Sequence, residues 1–152
     1  MDAGGGLIER LDLVGALVAL FIYISSIATF AARMVFDLRP DHWIGVPYLL
    51  TAFPLGYLLY TAPTVDRPLV YYLQVGLMLA SIVVLFLLDY VFRVDWRNRR
   101  RVVVSFVTLY FAGIGGMIGV ASQAGQAWTI AAVVLFIAAG VMAFVQRAVT
   151  GL

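Results

Sequence analysis

The chain has no cysteine, no lysine and a single histidine in 152 residues. Without cysteine there is no disulfide, no thiolate nucleophile and no thiolate metal site. One histidine rules out bis-histidine haem ligation within the chain. Charge is also scarce. Only 12% of residues are Asp, Glu, Lys or Arg, about half the ~25% of a soluble domain. With 64% hydrophobic residues and a mean hydropathy of +1.02, too few polar groups remain to coat a water-facing globule. Much of the exterior must face lipid.

Five long apolar runs are present, at about 13–34, 43–62, 69–92, 102–120 and 127–145. Each is close to the ~20 residues that carry an α-helix across a ~30 Å hydrocarbon core. Barrel-type alternation is absent, and a backbone in lipid must then bond to itself as helix. The expected fold is all-α: a polytopic bundle of five transmembrane helices in a single integral-membrane domain, 1–152. The connections "DLRPDH", "PTVDRP", "RVDWRNRRR" and "SQAGQ" are too short to hold a second domain. The start, "MDAGGGLIERLD", is acidic and lacks the positive region of a cleavable signal, so the first run is expected to be retained.

Arginine sets the expected threading. If every run crosses, Arg33, Arg39, Arg93, Arg97, Arg99, Arg100, Arg101 and Arg147 share one side, while Arg10 and Arg67 face the other. The positive-inside rule then puts the N-terminus outside and the C-terminus inside. Were the second run only re-entrant, the arginine-rich third loop and Arg147 would fall opposite Arg33 and Arg39. Trp43, Trp96 and Trp128 all lie at span ends, where indole prefers the headgroup layer. The stretch "RVDWRNRRR" is therefore read as a topology anchor in contact with lipid headgroups, and not as a nucleic-acid patch. Arginine in place of lysine fits a GC-rich genome, and the expected location is a bacterial or archaeal cytoplasmic membrane.

Acids are placed at span ends. Asp89 has Arg93 four residues on, at the spacing of an intrahelical pair, and Arg33 and Asp37 repeat the arrangement. "DLRPDH" holds two carboxylates and His42, but Pro40 breaks the spacing a metal would need, so a solvated turn is expected there. No Asp, Glu, Arg or His falls at the centre of a span. Charge-moving pumps keep such groups there. What the interior does offer is neutral. Tyr23, Ser25, Ser26, Thr51 and Ser81 lie near the midplane of the first three spans. They could meet in a small polar pocket, or bond within and between their helices. Gln74, near the outer end of the third span, is expected to be interfacial or to make a helix–helix hydrogen bond. Pro47 and Pro54 mark the second span as irregular, because each proline removes a backbone donor and frees a carbonyl.

The fourth span reads "FAGIGGMIGVAS". Gly115 and Gly119 form a GxxxG step, and Ala112, Gly116 and Gly119 make a second small-residue line. Ala132, Ala139 and Ala143 line one face of the fifth span. Small faces let helix backbones approach closely in lipid, so a tight hairpin of the fourth and fifth spans is expected. The same glycines would admit a flat apolar cofactor such as a quinone or carotenoid. In length and span count alone, the chain resembles the translocator-protein (tryptophan-rich sensory) family. It departs from that family's pattern in having three tryptophans, all at span ends.

No nucleophile–base–acid set and no pair of buried carboxylates is visible. The expected role is a non-catalytic subunit or interaction partner in a membrane assembly or homo-oligomer. The alternative is a small carrier, channel or apolar-ligand binder built on Tyr23, Ser25, Thr51, Pro54 and Ser81.

Overall fold

The computed structural model describes residues 3–35, 46–92 and 99–150. Trp43, Trp96, Arg39, Arg93, Arg97, Asp37, Asp41 and His42 lie outside the described residues. The fold is an all-α, multi-span membrane bundle. Among the described residues four helices are long and apolar enough to cross a membrane: Gly5–Val35, Leu69–Val91, Arg100–Ser122 and Gln126–Val149. The bundle presents an apolar exterior suited to lipid: Phe53 and Tyr60, in the short helix 52–61, and Phe144 are 75%, 82% and 74% exposed.

Helix α1 spans Ala3–Val35 and begins ten residues before the apolar run expected at 13. At 1.5 Å per residue its 33 residues reach about 50 Å, well beyond a ~30 Å core. Glu9 and Arg10 are exposed on the overhanging turns.

The expected second span takes a different form from the other four. It comprises α2, Val46–Leu50, and α3, Ala52–Thr61, followed by a 3-10 turn over Ala62–Val65. Neither helix reaches spanning length alone. The break has a local cause. Pro54 has no N–H for the carbonyl of Leu50. The chain tightens at Thr51, whose amide bonds to Tyr48 O at 3.2 Å, and resumes α-geometry with Leu55 N to Thr51 O at 3.1 Å. Pro47 plays no part in the break. It sits in the first turn of α2, where a missing N–H costs nothing.

Helix α4 covers Leu69–Phe86 and ends in a π-turn over Leu87–Val91, closed by Phe92 N to Leu87 O at 2.8 Å. Asp89 lies in this π-turn. Helices α5, Arg100–Ser122, and α6, Gln126–Thr150, complete the bundle. The turn between them needs Gly125, whose φ of +117° suits glycine alone.

Contacts fix the relative directions. Asp12 of α1 meets Arg67 just before α4, and Gly15 faces Leu58 of α3. Tyr23 meets Ile114 of α5 and Phe136 of α6. Helices α3 and α5 thus run antiparallel to α1, while α4 and α6 run parallel to it. The most extensive packing joins α4 to α5 and α1 to α6.

The glycines of α5 are spent differently from the expected hairpin. Gly113, Gly116 and Gly119 face α4, and not α6. A Cβ on Gly113 would lie 3.0 Å from Met78 Cα, and one on Gly116 3.1 Å from Gln74 Cα. Gly115 alone points to α6, with Phe136 at 3.9 Å. Ala112 is exposed, and Ala143 is half-buried. Ala132 and Ala139 are fully buried on a helix whose main partner is α1. Dispersion between closely approaching backbones, and not water exclusion, holds such contacts in lipid.

Candidate functional site

Three places in the bundle hold chemistry. The first is a cluster of hydroxyls. Tyr23 is fully buried and donates its OH to the Ile114 carbonyl at 2.5 Å, tying α1 to α5. Ser26, one turn on, donates to Ile22 O at 2.7 Å and meets the hydroxyl of Tyr110. Tyr48 lies 6.3 Å from Tyr110, ring to ring, and its hydroxyl is 3.4 Å from Ser81. Ser81 donates to Met78 O at 2.7 Å, and Thr51 to Tyr48 O at 2.6 Å. The hydroxyls of α1, α2, α4 and α5 therefore converge. They do so as a closed set, because among the described residues no buried side-chain oxygen or nitrogen lacks a partner.

Of the residues expected to form a pocket, Tyr23, Thr51 and Ser81 join this cluster. Ser25 does not. The helical period turns Ile22, Tyr23 and Ser26 inward together, and Ser25 is left half-buried, its carbonyl accepting from Thr29 at 2.7 Å. Tyr48 and Tyr110 belong to the cluster and were missed. Within apolar runs they read as aromatic bulk. The available signal was the hydroxyl, which needs a partner wherever lipid surrounds it.

The second place is a groove of about 400 Å³ between α1 and the broken α2–α3 pair. Leu17, Val18 and Phe21 form one wall, with Leu50, Thr51 and Pro54 on the other. The Pro54 break opens it. Thr51 reaches it, but its hydroxyl is already engaged with Tyr48 O. The groove is hydrocarbon-lined and opens sideways to lipid, so it suits an apolar occupant and not a hydrated solute.

The third place is the end of the bundle where α1, α4 and the α5–α6 turn meet. Arg67 pairs with Asp12. Its guanidinium also donates to Gln123 Oε1 at 3.3 Å and lies 5.1 Å from the centre of the Tyr71 ring. The Arg67 and Asp12 side chains are only 8% and 14% exposed. Beside them a groove of about 350 Å³ is lined by Glu9, Asp12, Leu13, Gln123, Ala124 and Trp128. This end carries the interfacial Trp128. Arg99, Arg100 and Arg101 lie exposed near the opposite end, at the start of α5.

Among the described residues no group of three or more His, Asp or Glu comes together to hold a metal. No protein-family model matches the chain, and neither a curated protein nor a solved structure is significantly similar to it.

Proposed function

We propose that the protein is a non-catalytic subunit or interaction partner in a membrane assembly, threaded five times with its N-terminus outside and its C-terminus inside. The observation that carries this reading is the lateral groove between α1 and α2–α3. It is apolar, open to the bilayer, and large enough for the side chains of a docking helix. The hydroxyl interior supports the same view, since Tyr23, Ser26, Thr51 and Ser81 donate to backbone carbonyls and leave little to escort a solute.

The fifth crossing is supported by direction. Residue 35 ends α1 at one end of the bundle, and Arg67 meets Asp12 at the other. The chain between them must return across the bundle, and α3 runs antiparallel to α1 as that return requires. The orientation rests on the arginine distribution. Neutralising Arg97, Arg99, Arg100 and Arg101 together is expected to scramble orientation in a reporter-fusion assay. Unaltered topology would undo the threading.

A second reading is favoured by the same groove. Its hydrocarbon lining would also hold a lipid chain, a quinone ring or a carotenoid. A photoreactive residue in place of Phe21 or Leu50 separates the two. A cross-link to another polypeptide supports the subunit role. An adduct with lipid or pigment supports the ligand-binding role. No adduct from either position would remove the groove as the working surface.

A further inference from the structure

Helices α5 and α6 pack along only part of their length. Near the middle of the hairpin, a Cβ on Gly115 would lie 3.9 Å from Phe136, and one on Gly140 4.0 Å from Phe111. The two phenylalanine rings meet edge to face at 6.4 Å. The helical period carries this face of α5 back through Val107 and Val104 to Arg100. It carries the facing side of α6 on through Phe144 to Arg147. Were the contact continuous, these residues would bury one another. Instead Val104, Val107 and Phe144 are 56%, 40% and 74% exposed, and both arginines are exposed. The hairpin is therefore open at the end away from its turn, as a cleft with apolar walls.

The mouth of the cleft is cationic. The antiparallel register set by the two glycine contacts brings Arg147 to within one turn of Arg100, ~5 Å along the axis. Arg99 and Arg101 are exposed beside Arg100. No acidic residue occurs anywhere from position 99 to 152, and among the described residues none of these four arginines forms an ion pair. The arginines stand at the ends of helices long and apolar enough to cross the bilayer. The mouth is thus level with headgroups, and the walls below it face acyl chains. We infer that the cleft seats an anionic phospholipid, its phosphate between Arg100 and Arg147 and one acyl chain along Val104, Val107 and Phe144. The charge selects this occupant. Guanidinium forks match phosphate oxygens. A zwitterionic headgroup would bring an ammonium beside the arginines with no carboxylate on either helix to receive it. A free phosphate would leave the apolar walls uncovered.

This site is separate from the α1–α3 groove, and its test does not depend on the direction of threading, because a micelle has no sides. The full chain, delipidated in a neutral detergent, is titrated with phosphatidylglycerol or phosphatidylcholine and weighed intact by native mass spectrometry. Phosphatidylglycerol is expected to be retained about tenfold more strongly, the scale of two arginines beside an anionic headgroup. Arg100→Gln with Arg147→Gln should abolish most of that preference, while Arg10→Gln at the far end should leave it unchanged. Unchanged helical circular dichroism would show that the double variant still folds. Should it not fold, labelling of the unaltered chain decides. A phosphatidylglycerol with a photoreactive acyl chain should label Val104, Val107 or Phe144, and its phosphatidylcholine analogue should label them far less. Millimolar inorganic phosphate should not displace the lipid. Equal retention of the two lipids, or an undiminished preference in the folded double variant, would overturn the inference. So would displacement by inorganic phosphate, or a cleft left unlabelled, as a helix packed into it would leave it.

Discussion

Replacing Gly113 with alanine is expected to destabilise the bundle by about 1–3 kcal/mol, the usual cost of forcing extra volume into a packed contact. The added Cβ would meet backbone: Met78 Cα at 3.0 Å, Leu77 O at 3.2 Å and Met78 N at 3.2 Å. No rotamer change relieves such a contact, so α4 and α5 must move apart. Gly113→Leu should go further and separate the helices. Gly115→Ala is the control. Its nearest neighbour, Phe136, is 3.9 Å away, an ordinary contact. There the gain of about 1 kcal/mol in helix propensity should leave stability unchanged or raised. Unfolding by a denaturing detergent would measure both. Equal losses for the two variants would refute the α4–α5 assignment.

The second large effect is expected at Arg67. Arg67→Leu removes the counter-charge from Asp12, whose side chain is only 14% exposed. Breaking a buried pair from one side costs on the order of 3 kcal/mol, because the remaining charge is stranded. The loss should be larger than that from removing both partners. The double variant Asp12→Asn with Arg67→Leu should therefore recover much of the stability, a non-additivity that a double-mutant cycle reads directly. Additive losses would mean that the pair is wet and contributes little. The same substitution frees Gln123 and uncovers the Tyr71 ring, so the α5–α6 turn should loosen with it.

Much of the architecture was legible in the sequence, because run length and composition are what a bilayer selects. Four runs became spanning helices for that reason. The second run was legible as irregular through Pro54, but Pro47 misled, since a proline acts by position in the helix and not by its presence. The glycines show a different limit. Gly115 and Gly119 have GxxxG spacing, yet four residues advance a helix about 40° past one turn. The two therefore fall on either side of a divide, one toward Phe136 and the other toward Gln74. A spacing motif says that some helix comes close without saying which. Gly113, the tightest glycine of α5 against backbone, stood outside the motif and was not singled out. The site was partly legible for a similar reason. Tyr23, Thr51 and Ser81 could be found by depth, whereas Tyr48 and Tyr110 needed the tertiary arrangement to bring their hydroxyls within reach.

The pairing of α1 with α6 has a consequence in time. A ribosome delivers α1 before α6. The face of α1 that carries Tyr23 meets Phe136 of α6, and the Leu13 end of α1 shares a groove with Trp128. Until α6 enters the bilayer, that flank of α1 has only lipid against it. The α1 flank is thus closed only by α6, and a chain arrested before residue 126 would display an unfilled seam.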